Sequence, residues 1–498
     1  MQMRNRLYIA MLALAGLIVP GLLHAAPWAK FYGGPGQEFP ARVTPSGSAS
    51  SFLLAGTRSY GAGETDALFA RLDAGGAVEW AKALGGKGND ILTVVPTADG
   101  GYFVGGHTSS FGAGNPAATN YNVLFAKFDS SWKTVSQKVW GGAQDEIAEF
   151  SKTADGGFLF RGSSASFTFA GDVRDVLLIK ISSGGEMVWR KVYHVGNDDA
   201  YGSTIELADG YVLSFGTLEG DAVLLKVGKE TGTLLWKKKL HAPAFLGIPK
   251  LAKTLDGSVL AASSLATGFD SRIVLLKVAG GDGSISWKRS YGHPTAGVLP
   301  VSVAEKPDAT LVLAGTLLEP SGTNFIASSL VMNLSTSGAV RVQTKLQVTG
   351  RHLTADVALA GKLWYGVSFD PVKTNFDAVV AMLSKNTFAP VWAKTFGGRN
   401  PESAIAFKQG TRFLFSGHTE SLGGASLGKG NVYAMTLDVA TGNSPGALAN
   451  LDLKNSPAGL TTLTPSIQAT SAFLLTTRNT PAASSTSLQI KTITLGSN

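Results

Sequence analysis

Residues 28–38 read WAKFYGGPGQE, residues 80–90 read WAKALGGKGND, and residues 392–402 read WAKTFGGRNPE. This recurrence constrains the 498-residue chain more than any other feature. Extended in both directions, the phrase becomes a unit of roughly 47–57 residues, a period that marks repeat architectures. Its tryptophan slot is filled at Trp28, Trp80, Trp189, Trp236, Trp287 and Trp392. By spacing, Ser136 and Val342 take the same slot in two further units.

Each unit contains four strand-like runs. The third is nearly continuous in apolar residues (NVLFAKFD, DVLLIKIS, DAVLLKVG), as expected of a strand covered on both faces. Asp-Gly pairs such as Asp99–Gly100 and Asp155–Gly156 join the first run to the second, and Asp-Gly favours tight hairpin turns. Charged residues make up only 16% of the chain while glycine reaches 61 positions, which suits an all-β protein with many turns. The expected fold is a single β-propeller of eight or nine four-stranded antiparallel blades over 27–498. The strand at Trp28 is expected to close the ring by completing a last blade built from LTTLTPSIQ, AFLLTTR and SLQIKTITL.

Residues 1–26 read as a signal peptide: Arg4 and Arg6, then an apolar run, then small residues at Ala25–Ala26. The mature protein is therefore expected to be exported, periplasmic or extracellular, without a transmembrane segment. There is no cysteine, which excludes a disulfide framework, a thiol nucleophile and a thiolate metal site. The net charge of +8 is spread along the chain and does not indicate specific nucleic-acid binding.

The repeat W-x-K-x-x-G-G…D-G-G-Y/F…G-x-T resembles secreted bacterial β-propeller repeat proteins over essentially all of 27–498. The stretch ETGTLLW, Glu230–Trp236, also resembles the tryptophan-docking motif of quinoprotein-type propellers. That resemblance implies a propeller in which Gly opens a turn and Trp packs between blades. Its members include dehydrogenases dependent on pyrroloquinoline quinone (PQQ) and a non-catalytic scaffold for outer-membrane protein assembly. The dehydrogenases commonly place a vicinal cysteine pair against the quinone; this chain has none, so PQQ chemistry is not expected.

An antiparallel blade sends its second-to-third loop and its connector to the next blade out of one face. Those loops are long, for example 109–121 and 420–430, and long loops on a rigid scaffold commonly carry function. On this face a carboxylate recurs three or four positions after the Gly-Gly pair or its equivalent: Glu38, Asp90, Asp145, Asp199 and Glu402. Such an acidic arc at the channel mouth is a candidate site for a divalent cation such as calcium, for sugar hydroxyls or for a basic partner. Alternatively, each carboxylate caps its own turn.

Basic residues two places after the tryptophan slot, Lys82, Lys138, Lys191 and Lys238 among them, read either as a belt for an anionic polymer or as protection of edge strands. His194, His241 and His293 follow the tryptophan strand in three consecutive units and form a candidate metal or proton site. His107 and His418 fall at equivalent positions and read as structural. No residue is assigned as catalytic. The expected function is a non-catalytic exported propeller that binds an envelope protein or an extracellular polymer. The alternative is an enzyme acting on a polysaccharide or small ligand at the channel mouth.

Overall fold

In the computed structural model, residues 27–441 are described apart from connecting segments, the longest being 113–119, 195–199, 348–351, 357–362, 397–404 and 420–430. Between 449 and 497, seven short strands are described. The described secondary structure contains strands and no α-helix, and no helix among these residues is long and apolar enough to cross a membrane.

The strands form eight antiparallel sheets, seven of them opening as consecutive four-strand meanders. Sheets 1 to 7 span 37–84, 90–140, 146–194, 200–241, 245–292, 297–347 and 352–396. Sheet 8 takes three strands from 405–438 and a fourth from the N-terminus, Ala29–Gly33, paired with Asn431–Asp438 in the register Tyr32 to Val432. The N-terminal strand thus completes a sheet, but one whose other three full strands come from 405–438 and not from the three expected C-terminal strands.

The segment expected to form a ninth unit builds no sheet of its own among the described residues. Its strands are parcelled out singly. Ala449–Asn450, Lys454–Pro457, Thr461–Leu463, Gln468–Thr470 and Thr476–Arg478 add a fifth strand to sheets 7, 6, 5, 4 and 3 in turn. Ile490–Thr492 then joins sheet 1 and Gly496–Ser497 joins sheet 8. Short alternating Ser/Thr-rich runs satisfy an edge position as readily as a full sheet, so the sequence pattern alone did not separate the two.

Successive sheets bury their faces against one another, and sheet 8 shares a core with sheet 1 through Trp28, Tyr32, Leu54, Leu68 and Val432. The tryptophan slot makes this packing. Trp28, Trp189 and Trp236 each lie on the last turn of the following sheet and donate Nε1–H to Ala74, Lys229 and Gly280 carbonyls at 2.8, 2.6 and 3.1 Å. The turn residue beneath is Gly76, Gly232 or Gly283, all at positive φ, where a Cβ would stand 2.6–2.8 Å from the indole. Only glycine meets both demands.

Opposite Ser136 the glycine is kept, as Gly185, but at two other slots the opposing position changes. Val342 packs in a core with Phe388, which takes positive φ in the glycine position of sheet 7. At Trp80 the opposing residue is Trp132 (φ 67°), with the rings 4.9 Å apart and edge to face.

The lysines of the third strands also have structural partners. Lys127, Lys180, Lys226 and Lys277 reach the Asp-Gly turn of their own sheet, pairing with Asp99, Asp155, Asp209 and Asp256 at 2.6–2.8 Å. Lys180 and Lys226 are buried, their stems lying within the sheet stack. Lys138 instead bridges to Glu186 of sheet 3 at 2.8 Å.

Candidate functional site

Register fixes which residues meet at the long-loop end of each sheet. In sheet 2, Asp90 opposes Thr108, Thr108 opposes Asn122, and Trp140 ends the fourth strand. Asp90 is fully buried and accepts hydrogen bonds from Thr108 Oγ1, Ser110 Oγ (2.6 Å) and Gly86 N–H (3.1 Å). Burial pushes its carboxyl up from the ordinary value, and the three donors pull part of the way back.

The equivalent residue in sheet 3 is Glu146, not Asp145. Glu146 is fully buried and accepts from Gly142 N–H (2.8 Å), Ser164 Oγ (3.1 Å) and Ser166 N–H (3.1 Å). Its pKa is raised, again with burial the main cause. Both acids stand five residues after the first glycine of the pair, Gly85 and Gly141. Asp145 is exposed and accepts the Tyr121 N–H at 2.8 Å.

The glycine pair itself is explained by close approach. A Cβ on Gly85 would fall 1.9 Å from Asp66 Oδ1 and 2.7 Å from Asp90 Oδ2. On Gly141 it would fall 2.0 Å from Asn122 Oδ1 and 2.6 Å from Glu146 Oε2. Of the remaining residues of the acidic set, Glu38 lies in a strand and opposes Arg58, and its side chain is outside the described residues. Asp199 and Glu402 are outside them altogether.

In sheets 3 and 4 the position of that first glycine is held by histidine, with aspartate at the start of the third strand. His194 Nδ1 lies 3.0 Å from Asp175 Oδ1, and His241 Nδ1 lies 2.7 Å from Asp221 Oδ1. Asp175 is fully buried, and Asp221 is nearly so. Asp221 also binds Lys239 Nζ at 2.8 Å. Burial pulls the Asp221 carboxyl upward, yet Lys239 and His241 hold it below its ordinary value, so it stays ionised at neutral pH.

A buried carboxylate on Nδ1 fixes the imidazole ring and its tautomer, leaving Nε2 as the basic nitrogen. The His241 side chain is 63% exposed, so that nitrogen is open to solvent. This is the arrangement general-base chemistry needs.

His293 falls one residue beyond the equivalent position, Gly292, and accepts the Thr295 N–H at 3.2 Å. His107 packs edge-on to Tyr121 and bonds the Ala148 carbonyl; burial lowers its pKa. No group of three or more His, Asp or Glu among the described residues is placed to hold a metal ion. The missed partners, Asp175 and Asp221, carried one signal: each precedes a third-strand apolar run, 19 or 20 residues before its histidine.

No family model matches the chain, and no curated protein matches it. Solved structures do. A polysaccharide lyase, Uly1, is 9% identical with a TM-score of 0.41, covering 80% of this chain and 89% of that one. A prolyl endopeptidase is 15% identical with a TM-score of 0.42, covering 76% of this chain and 54% of that one. A GH43 glycoside hydrolase with xylanase and arabinofuranosidase activity is 11% identical with a TM-score of 0.21, covering 94% of this chain and 99% of that one. The described sheets define an all-β protein compatible with a β-propeller; nothing in these matches supports the quinoprotein type. All three neighbours are described as enzymes, against the expectation of a non-catalytic binding protein. What those proteins act on is a property of those proteins.

Proposed function

We propose that this chain is an exported enzyme that acts on a polysaccharide from its long-loop face, with its eight sheets closed as one propeller ring. The observation that carries the enzymatic reading is the His241–Asp221 pair, an exposed imidazole held at 2.7 Å by a buried, ionised carboxylate. His241 takes a proton from the substrate at Nε2. Asp221 orients the ring and balances the imidazolium charge, and Lys239 keeps Asp221 ionised. The His241 side chain is exposed and not enclosed, which favours an extended chain over a small enclosed ligand. Ring closure is supported by the docking of Trp28 and Tyr32 onto sheet 1, where Tyr32 Oη donates to the Gly76 carbonyl at 2.7 Å.

The test is turnover on a panel of acidic and neutral glycans. His241→Ala is expected to lower kcat by about 10²–10⁴ with an unchanged melting temperature. Asp221→Asn is expected to lower kcat less and to shift its pH profile. Turnover that survives His241→Ala undiminished, or its absence on every glycan, overturns the reading.

A further inference from the structure

The last residue of the first strand varies in charge from sheet to sheet. Register sets the equivalence: Lys152 opposes Phe158, Glu206 opposes Tyr211, Lys253 opposes Val259 and Glu305 opposes Leu311. Both acids cap the tight turn of the preceding sheet. Glu206 Oε2 accepts the Ala154 N–H at 2.9 Å, and Glu305 Oε2 accepts the Leu255 N–H. Ala98 carries the equivalent amide in sheet 2, in a turn closed the same way, by the Thr97 N–H on the Gly101 carbonyl. There the following sheet supplies Lys152, which has no acceptor to offer. Lys253 follows sheet 4, but that turn is a residue shorter, closed by the Leu207 N–H on the Gly210 carbonyl.

A second exchange lies beside the first. Arg71 opposes Leu53 at the third-strand position where Lys127 opposes Phe103 and Lys180 opposes Leu159. Those lysines bind an aspartate in their own turn, whereas 46–51 of sheet 1 reads SGSASS and contains no acid. Arg71 Nε pairs instead with Glu79 at 2.7 Å, and Nη2 lies 3.4 Å from Ser51 Oγ. The two exchanges meet in one cavity of about 420 Å³, whose lining includes Ser46, Arg71, Thr97, Ala98, Tyr102 and Lys152. Two cations line it and no carboxylate does; Asp99 of the same turn is held by Lys127 at 2.7 Å.

We propose that this cavity binds a sugar acid of monosaccharide size, its carboxylate taking the place that Glu206 and Glu305 fill at the turns of sheets 3 and 5. The carboxylate accepts from the Ala98 N–H, Lys152 Nζ and the Arg71 guanidinium, two of them charged donors. The volume falls in the range of small-molecule sites, roughly 300–1,000 Å³, and is larger than a bare carboxylate requires. The Ser46 and Thr97 hydroxyls give ring hydroxyls polar neighbours. The site stands at the turn end, opposite to His241, and does not depend on the enzymatic reading.

Calorimetric titration of the full-length protein with glucuronate, glucose and inorganic phosphate at constant ionic strength tests this. Glucuronate is expected to bind saturably at one site, phosphate more weakly and glucose not at all. Lys152→Glu copies the residue that sheets 4 and 6 already carry, so the melting temperature should hold while glucuronate binding weakens by about 10-fold to 100-fold. Arg71→Gln supplies a second reading, with a loss of similar size. Lys253→Glu makes the same charge change at the equivalent position of sheet 5 and should leave binding unchanged. Absence of saturable glucuronate binding, tighter binding of phosphate, or binding that survives both Lys152→Glu and Arg71→Gln overturns the proposal. An equal loss from Lys253→Glu also overturns it, since general surface charge would then account for the binding.

Discussion

The two ends of sheets 2 and 3 use carboxylates in opposite ways. At the long-loop end, Asp90 and Glu146 are buried, surrounded by neutral donors and raised in pKa. At the tight-turn end, Asp99 and Asp155 are largely exposed, and each binds a lysine rising through the sheet. Lys127 holds Asp99 down to about 2. Asp155, against the upward pull of its partial burial, is held at about 2 by Lys180 and Thr153. The turn end spends charge on solvent-screened pairs. The loop end buries its carboxylates and is therefore the end where geometry matters most.

Substitutions should separate the two ends. The largest effect is expected from Gly85→Ala or Gly141→Ala, where the new methyl meets a carboxylate or amide held in a packed site; a loss of about 3 kcal/mol in a denaturant titration is expected. Asp90→Ala strands the Thr108, Ser110 and Gly86 donors and should lose about 2 kcal/mol. At the opposite end, Gly100→Ala has open space and costs only its positive φ, about 1 kcal/mol. Lys180→Met should cost no more than about 1 kcal/mol, since Asp155 is solvent-screened.

Acid sharpens the contrast, because the signs differ. Asp155 has a depressed folded pKa of about 2, so its contribution is present above the ordinary carboxylate value and is lost as pH falls through about 2. The melting deficit of Lys180→Met should therefore shrink on acidification. Asp90 and Glu146 have raised folded values, so their contribution is full below the ordinary value and is lost as pH rises through the folded one. Asp90→Asn with Glu146→Gln should gain on the parent protein as pH rises from about 4. Melting curves at stepped pH would show both trends. Parallel slopes would erase the distinction between the ends.

Much of this was legible in the repeat. The four-strand unit, the Asp-Gly turns and the tryptophan slot all follow from local pattern, because turn chemistry and alternation are short-range properties. The Gly-Gly pair was visible as a motif, but its reason lies in Asp66 and Asn122, which reach it across strands. Glu146 was missed for its neighbour Asp145 because adjacent carboxylates look alike in sequence, while only one falls in the buried register. The histidine–aspartate pairs join residues 19 and 20 apart on neighbouring strands, a spacing that no linear motif announces. The C-terminal fifth strands escaped for a different reason: each of their pairings depends on a partner 54 to 465 positions away, and their own pattern is only Ser/Thr-rich alternation.

The hydrogen bond from Trp28 N to Thr436 Oγ1 joins residues 408 positions apart, and it has a consequence in time. The most N-terminal described strand finds its mate late, since Asn431–Asp438 must exist before Ala29–Gly33 can dock. The four-strand parts of sheets 1 to 7 assemble from neighbours in the chain, whereas the fourth strand of sheet 8 and the fifth strands of sheets 1 and 3 to 7 join residues far apart in it. Completion of sheet 8 should therefore be a slow, long-range step in folding.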